Sequence, residues 1–346
     1  MFIELGQVKI YAHSYLVSLP ILPLQLQNNS PPSLSFEDAF DSTFHHKSNF
    51  NDFLNLDVRK ECERYYKNNK LILNPSTHLK KYLRFLNSYV FDYAKINLEV
   101  VHSYRKGKNA YTAVVKHAVS KYYFQTDIQN YFNSITIEDI EFILNNNLIN
   151  IPISDIELYK SKILNLVTID GILPVGFSTS PNISNTCLYL FDNALEYYCN
   201  TKNIVYTRYS DDIILSSNNR DTLKNAKEII SEQLNLFHNG RIQLNPNKTK
   251  YTHKGEKIKL LGLVVLPSGK VSVDIKIKKQ LEILLHFYIN DKDKFSDYLK
   301  NNYHGELSTI SGQLNYINSI DNTYLNKLRR KYGNFIIDTF FNQTIK

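Results

Sequence analysis

Three carboxylates stand where they could hold a metal ion. Two of them, Asp211 and Asp212, lie side by side in Tyr206-Thr207-Arg208-Tyr209-Ser210-Asp211-Asp212-Ile213-Ile214-Leu215. The flanking residues are β-branched or aromatic, and Ser210, Asp211 and Asp212 are turn formers. The stretch therefore reads as a β-hairpin with the acids at its tip. Adjacent carboxylates held by apolar strands are costly unless something pairs with them. A divalent cation, which takes oxygen ligands, is the natural partner. Alternation along a strand turns the two acids to different sides, so one faces a cleft and the other reaches it from the edge. The third acid, Asp127, ends the strand-like run Tyr122-Tyr123-Phe124-Gln125-Thr126-Asp127, just before the chain turns. Strand ends of this kind commonly supply metal ligands. An Asp-Asp pair in a turn is more often simply solvated, so the reading depends on the company these acids keep.

That company is extensive. Asp127-Ile128 is followed by Phe132; Tyr209-Ser210-Asp211-Asp212 is a Tyr-x-Asp-Asp box. Between them runs Gly171-Ile172-Leu173-Pro174-Val175-Gly176-Phe177-Ser178-Thr179-Ser180-Pro181-Asn182-Ile183-Ser184-Asn185. After them come Leu244-Asn245-Pro246-Asn247-Lys248-Thr249 and Leu260-Leu261-Gly262. In type and order these five motifs resemble those of the reverse transcriptase family, over about half of the chain. The resemblance implies an α+β right-hand polymerase with fingers, palm and helical thumb. It implies two Mg²⁺ ions, with Mn²⁺ as a substitute, held by Asp127, Asp211, Asp212 and the Ile128 carbonyl. Lys248 is then a candidate general acid for the leaving pyrophosphate, or a charge partner of phosphate. Phe132 is the expected gate against a ribose 2′-hydroxyl, and Pro174, Val175 and Gly176 line the nucleotide. Tyr209, Leu261 and Gly262 lie at the primer end, and Gly312 and Asn315 sit on the thumb helix against the duplex. Arg105 and Lys108, with Lys106, surround Gly107 in a basic turn suited to a triphosphate; a guanidinium matches phosphate oxygens in bidentate fashion.

The elements that must carry these residues are legible in outline. Thr136 with Asp139 three residues on marks a helix start before Ile137 to Asn146. Leu79, Tyr82, Leu83, Leu86, Tyr89, Val90 and Tyr93 recur at helical spacing within Pro75 to Val100, and Arg59 to Tyr66 also reads as helix. Ser35 to Leu54 holds one or two short helices. Single helices are expected over Ser154 to Leu166, Asn182 to Tyr198 and Asp221 to Phe237. Lys259 to Leu266 is expected as a strand carrying Leu261-Gly262. Ile275 to Tyr288, Lys292 to Asn302 and the Leu307–Ile317 pattern are helical. The domain reading is an N-terminal extension over 1–55, fingers over 56–120 with part of 137–180, palm over 121–265 and thumb over 270–346.

Composition agrees with a nucleic-acid partner. The net charge is +8 over 346 residues. Residues 241–346 hold 18 Lys and Arg against 9 Asp and Glu, while the rest of the chain is near neutral. A basic C-terminal third suits a phosphate backbone. The three cysteines, Cys62, Cys187 and Cys199, show no zinc spacing and read as reduced thiols in a cytoplasmic protein. No leader, no membrane-spanning run and no nuclease extension is expected. Leu-Pro-Val-Gly, with Val175 where many relatives have Gln, resembles the bacterial antiphage-defence or abortive-infection branch. Asn109-Ala110 and His117 stand at the wrong spacing for the retron Asn-Ala…His element, and a Val-Thr-Gly element is missing, so a retron enzyme is not expected. The reading is an RNA-directed DNA polymerase that copies a non-coding RNA, or synthesises without a conventional template, from dNTPs. A homo-oligomer or a second defence protein would be its partner. A group II intron-like mobile-element enzyme and a catalytically silent RNA-binding scaffold are the alternatives.

Overall fold

The structure is a computed structural model that describes residues 33–67, 70–303 and 307–342. The first 32 residues of the expected extension, with the apolar stretch Leu16 to Leu26, lie outside the described residues.

Along the chain, α1 (Phe36–Phe44) and α2 (Phe50–Leu54) are capped by Ser35 and Asn49, whose side chains accept from backbone N–H groups of the first turn. The antiparallel pair β1 (Cys62–Lys67) and β2 (Lys70–Pro75) follows, where Arg59 to Tyr66 was expected to be helical. Tyr65, Tyr66, Leu71 and Ile72 suit a pleated surface, and a partner strand close in sequence decides the conformation. Helix α3 (Thr77–Tyr89) buries Leu79, Tyr82, Leu83 and Leu86 as the spacing predicts, and stops well short of Val100. Next come α4 (Ala110–His117), β3 (Tyr122–Asp127), α5 (Tyr131–Ser134), α6 (Ile137–Asn146) and α7 (Lys160–Val167). The predicted capping box of α6 is present between Thr136 and Asp139. The helix expected over Asn182 to Tyr198 is two, α8 (Ser180–Cys187) and α9 (Tyr189–Thr201), parted at Leu188. Strands β4 (Val205–Tyr209) and β5 (Asp212–Ser217) lead to α10 (Ala226–His238) and β6 (Lys250–His253).

The expected strand around Leu261-Gly262 is instead a hairpin, β7 (Ile258–Leu260) and β8 (Leu263–Val265), completed by β9 (Val271–Val273). Leu261 and Gly262 form its turn, with φ of 48° and 82°. Positive φ at both central residues is the tight turn that matches strand twist. Five helices close the chain: α11 (Ile275–Asn290), α12 (Lys292–Tyr303), α13 (Leu307–Ile320), α14 (Asn322–Tyr332) and α15 (Asn334–Asn342).

The chain forms two compact units. One takes Met1–Val101, Gln129–Thr201 and Ile229–Gln243; the other takes His102–Ile128, Lys202–Glu228 and Leu244–Lys346. The first is centred on aromatic rings. Phe36, Phe40, Phe53, Tyr82 and Phe85 are fully or almost fully buried, with centroids 5.0 Å apart for Phe40–Phe53 and 5.3 Å for Phe36–Phe85. Such tilted contacts add to the burial of large apolar surfaces.

The second unit holds an antiparallel sheet in the order β4-β5-β3-β6 and the small sheet β7-β8-β9. Val114, Tyr123 and Ile214 share one core with Ile258, Leu260, Leu263, Val265 and Val271. The last five helices bury Leu281, Leu285, Leu314, Leu325 and Phe340 in a core of their own. Asp321 is 4% exposed and meets Ser272 of β9 at 2.7 Å, Lys278 at 2.7 Å and Lys270 at 3.0 Å. Burial raises its carboxyl, but bonds from Lys278, Ser272 and Lys270 more than offset this and hold it well below the carboxylate range.

Beneath β4 and β5 sits His117, the last residue of α4, with no exposed surface. Its Nδ1 is 2.7 Å from Ser216 Oγ and its Nε2 2.8 Å from Thr207 Oγ1, so one imidazole ties together both strands of the hairpin. Burial, then His102 and Lys116, push its pKa from 6.5 down to about 3. Unfolded histidine titrates near 6.5, so below that pH the unfolded chain takes up a proton that the folded one refuses. Stability should be intact above pH 6.5 and fall as pH drops toward 4, by up to about 1.4 kcal/mol per pH unit for this group. Urea midpoints at pH 7.5, 6.0 and 4.5 measure this. His117→Gln should flatten the slope, and an unchanged slope would remove His117 as its source.

Candidate active site

The hairpin and β3 bring the three acids together by backbone register. Asp127 pairs with Asp212 across β3 and β5, and Tyr209 pairs with Asp212 across β4 and β5. Directly opposed residues of an antiparallel pair stand about 5 Å apart. Asp211 occupies the turn, and its carbonyl accepts from Ile128 N at 3.0 Å. The Asp127 carbonyl accepts from Asn245 N at 2.8 Å, so the chain before Lys248 is fastened to the end of β3. Lys248 Nζ then donates to Asp127 Oδ2 at 2.5 Å. This bond raises the lysine's pKa. The other oxygen, Asp127 Oδ1, is buried with no hydrogen-bond partner. A buried carboxylate oxygen without a partner is a cost that a bound cation would remove.

Asp212 carries the electrostatic signature of the site. Burial, then Asp211 and Asp127, push its carboxyl from 3.8 up to about 6, against the pull of Lys248 and Lys250. Like charges gathered in a partly desolvated place disfavour full ionisation. A carboxyl displaced by burial together with specific charged neighbours marks a candidate functional site.

The turn itself is strained and held. Ser210 is a non-glycine residue at φ 57°, and Tyr104 lies at φ 55°. Such conformations cost on the order of 1–2 kcal/mol each. Tyr104 Oη reaches Ser210 Oγ at 3.2 Å, and Arg208 Nη1 donates to the Ser210 carbonyl at 2.9 Å. Arg208 is the largest fully buried side chain, and its own carbonyl accepts from His102 N at 2.9 Å. Neither Arg208 nor Tyr104 was singled out as a site residue from sequence. An arginine inside an otherwise apolar and aromatic strand run is the signal that could have found the first.

The remaining predicted residues divide between the two units. Arg105 and Lys108 share the unit of the acids, in a turn closed by Lys108 N donating to Arg105 O at 3.2 Å with Gly107 at φ 74°. Their charge, with burial first and Lys116 next, lowers the His102 pKa to about 4. Tyr209 is partly buried, and burial raises its phenol pKa. Leu261 packs on the core below α4, while Gly262 is exposed. Gly312 and Asn315 are exposed on α13, and a Cβ at Gly312 would meet no protein atom. Phe132, Pro174, Val175 and Gly176 belong to the other unit. There Val175 O accepts from Leu73 N at 2.9 Å, and Ser180 Oγ donates to Pro174 O at 2.6 Å. Gly176 has φ 115°, and a Cβ there would stand 2.0 Å from Leu73 O, so only glycine fits. Phe132 is half-buried on α5 beside Tyr131.

With the Asp212 pKa raised, the folded protein carries a penalty above pH 6 that the unfolded chain does not. Without divalent cations at pH 8, Asp212→Asn should therefore be more stable than the parent by about 1–2 kcal/mol, discounted for partial exposure. Millimolar Mg²⁺ should shrink or invert that gain. Chemical denaturation with and without a chelator is the measurement, and equal stability in all four samples would contradict this account.

Comparison with known proteins agrees with the geometry. Residues 58–265 match the family described as "Reverse transcriptase (RNA-dependent DNA polymerase)". Retron Ec83 reverse transcriptase of Escherichia coli is 26% identical over 271 residues, 76% of this chain and 83% of that protein. Retron Ec73 reverse transcriptase of the same species is 28% identical over 279 residues, again 76% and 83%. A telomerase structure from Candida albicans aligns with a TM-score of 0.40 at 12% identity, covering 78% of this chain and 56% of that one, too loosely to carry weight. These similarities run against the expectation that this is not a retron enzyme. The two residues whose spacing argued against it, Asn109 and His117, bound α4: Asn109 caps the helix through Thr112, and His117 clamps the catalytic hairpin. The chain belongs to the reverse transcriptase family, the RNA-directed DNA polymerases, and is similar to retron enzymes.

Proposed function

We propose that this protein makes DNA for a bacterial antiphage defence system by two-metal nucleotidyl transfer, copying a non-coding RNA or working without a conventional template. The observation that carries the chemistry is the buried, unpartnered Oδ1 of Asp127 beside the raised carboxyl of Asp212. The retron relatives support DNA synthesis by a reverse transcriptase, and the resemblance of the Leu-Pro-Val-Gly segment supports the biological part. The protein works in the cytoplasm on this reading; no helix among the described residues is long and apolar enough to cross a membrane.

Asp127, Asp211, Asp212 and the Ile128 carbonyl would hold two Mg²⁺ ions, for which Mn²⁺ is a substitute. Ions bound there would acidify the attacking 3′-hydroxyl and offset charge on the leaving pyrophosphate. The chain's own groups do the rest. Lys248, protonated on Asp127, would hand a proton to the leaving group or serve as a charge partner of its phosphates. Arg105 and Lys108 take the triphosphate, and Phe132 excludes a 2′-hydroxyl. Pro174, Val175 and Gly176 line the nucleotide by a backbone path fixed on Leu73. Tyr209, Leu261 and Gly262 position the primer end, and Gly312 and Asn315 present a flat, uncharged helix face to the duplex. The fingers, palm and thumb follow the boundaries given above. A scaffold that only binds RNA has no use for acids that repel one another and the phosphates.

The test is incorporation of labelled dNTPs in Mg²⁺ by protein purified with its nucleic acid, beside Asp211→Asn. Each dNTP is supplied alone and all four together, with and without RNase. Asp211→Asn should lose synthesis by about 100- to 1,000-fold or more while keeping its fold, the scale of removing a central electrostatic group. Loss of parent activity on RNase treatment would identify an RNA template. Partial dNTP use that survives RNase would identify protein-directed synthesis. Retained activity in Asp211→Asn would overturn the assignment, and inactivity of both proteins would favour the scaffold.

A further inference from the structure

A second cluster of metal-ligating groups lies in the unit that does not contain the catalytic acids. Asp139 of α6, Cys187 at the end of α8 and His238 at the end of α10 each offer a ligand atom, and these atoms all fall within 4.8 Å of one another. His238 is 5% exposed, and both of its ring nitrogens are buried without a hydrogen-bond partner. A neutral imidazole has one donor and one acceptor, and leaving both unused in the interior costs on the order of 1–3 kcal/mol for each group. The ring therefore keeps an unused lone pair, with a nitrogen within 4.8 Å of a thiol sulfur and a carboxylate oxygen.

Asp139 retains capacity for a further bond. Its Oδ2 accepts from Thr136 N at 2.9 Å and Arg241 Nη1 at 2.8 Å, whereas Oδ1 accepts only from Arg241 Nη2 at 2.7 Å. One lone pair of Oδ1 remains. The guanidinium fixes the carboxylate's orientation, as outer hydrogen bonds do for metal-ligating groups. Charge also balances. A divalent ion with the Cys187 thiolate and the Asp139 carboxylate is neutral, and Arg241 is offset by Glu138 nearby. Arg241 is 39% exposed and Asp139 11% exposed, so an ion has a way in.

We propose that Asp139, Cys187 and His238 bind one divalent ion of the zinc class, with water as fourth ligand, and thereby staple α6, α8 and α10. Bonds of about 2.0–2.3 Å put tetrahedral ligand atoms roughly 3.3–3.8 Å apart, so the three groups need close by only about 1 Å. Binding releases the Cys187 thiol proton to solvent as the metal–sulfur bond forms. Burial, which keeps His238 neutral down to about pH 4, leaves its lone pair available. The site is distinct in chemistry from the catalytic acids, which offer oxygen alone.

Cobalt is the probe, because thiolate ligation gives a near-ultraviolet charge-transfer band that carboxylates cannot give. Full-length protein stripped with chelator should take up one equivalent of Co²⁺ with that band and a tetrahedral visible spectrum, and Zn²⁺ should displace it. Cys187→Ser and His238→Gln should each lose the band, while Cys62→Ser should keep it. On the unmodified chain, Zn²⁺ should slow iodoacetamide alkylation of Cys187 about tenfold or more, followed by peptide mass spectrometry. Absence of the band, its survival in Cys187→Ser, or alkylation unchanged by Zn²⁺ would overturn the proposal. None of these readouts requires polymerase activity.

Discussion

Repulsion among three carboxylates is the constraint around which the second unit is built. Asp127, Asp211 and Asp212 are brought together by strand register and a two-residue turn, not by any attraction of their own. Register is a strong device for this purpose. Sliding β3 by one residue against β5 would move every side chain to the opposite face, and Phe124, Ile213 and Leu215, all buried, forbid it. The apolar residues of the two strands thus offset an electrostatic penalty at their ends. Lys248 bonds Asp127 directly, and its pull on Asp212, with that of Lys250, is outweighed by burial and by the neighbouring acids, so Asp212 keeps the raised pKa.

Holding such a tip requires groups that do not add to its charge problem. His117 serves because burial keeps it neutral, so it bridges Thr207 and Ser216 as a spacer with one donor and one acceptor. Arg208 serves in the opposite way. Its cation is buried against the turn, where it donates to the Ser210 carbonyl and holds a left-handed residue that would otherwise relax. Both act on backbone or hydroxyl groups of the hairpin, and both lie beneath residues that the chemistry uses directly. Loss of either would loosen the acids without removing a ligand.

The acids, their strands and the capping box of α6 were legible because each is a local pattern: alternation, a turn former, a cap three residues from its partner. Pairing across distance was not. Arg59 to Tyr66 has apolar spacing compatible with a helix, and only the following strand, which it meets at Tyr65 opposite Ile72, makes it β1. Leu261-Gly262 looked like strand interior because leucine rarely takes positive φ, yet the two are a turn. The Asp139, Cys187, His238 group was invisible for a related reason. Its meaning lies in burial and in neighbours about fifty residues away, and no spacing encodes that.

The Pro174–Gly176 segment shows how the backbone and the side chain of one position can be separated. Val175 fixes the loop through its carbonyl, which accepts from Leu73 N, and any residue supplies that bond. Gly176 fixes the path, since a Cβ would collide with Leu73 O. Pro174 fixes it again through the Ser180 hydroxyl. The loop's course is therefore independent of what side chain stands at 175. Replacing an amide by the half-buried isopropyl group of Val175 changes the side chain presented there and leaves the frame alone. Under the proposed function, a polar contact to the sugar is then absent, and discrimination among substrates rests on shape, through rings such as Phe132, rather than on hydrogen bonding. Shape discriminates weakly between ligands that differ by one small group, whereas a buried hydrogen-bonding partner discriminates strongly.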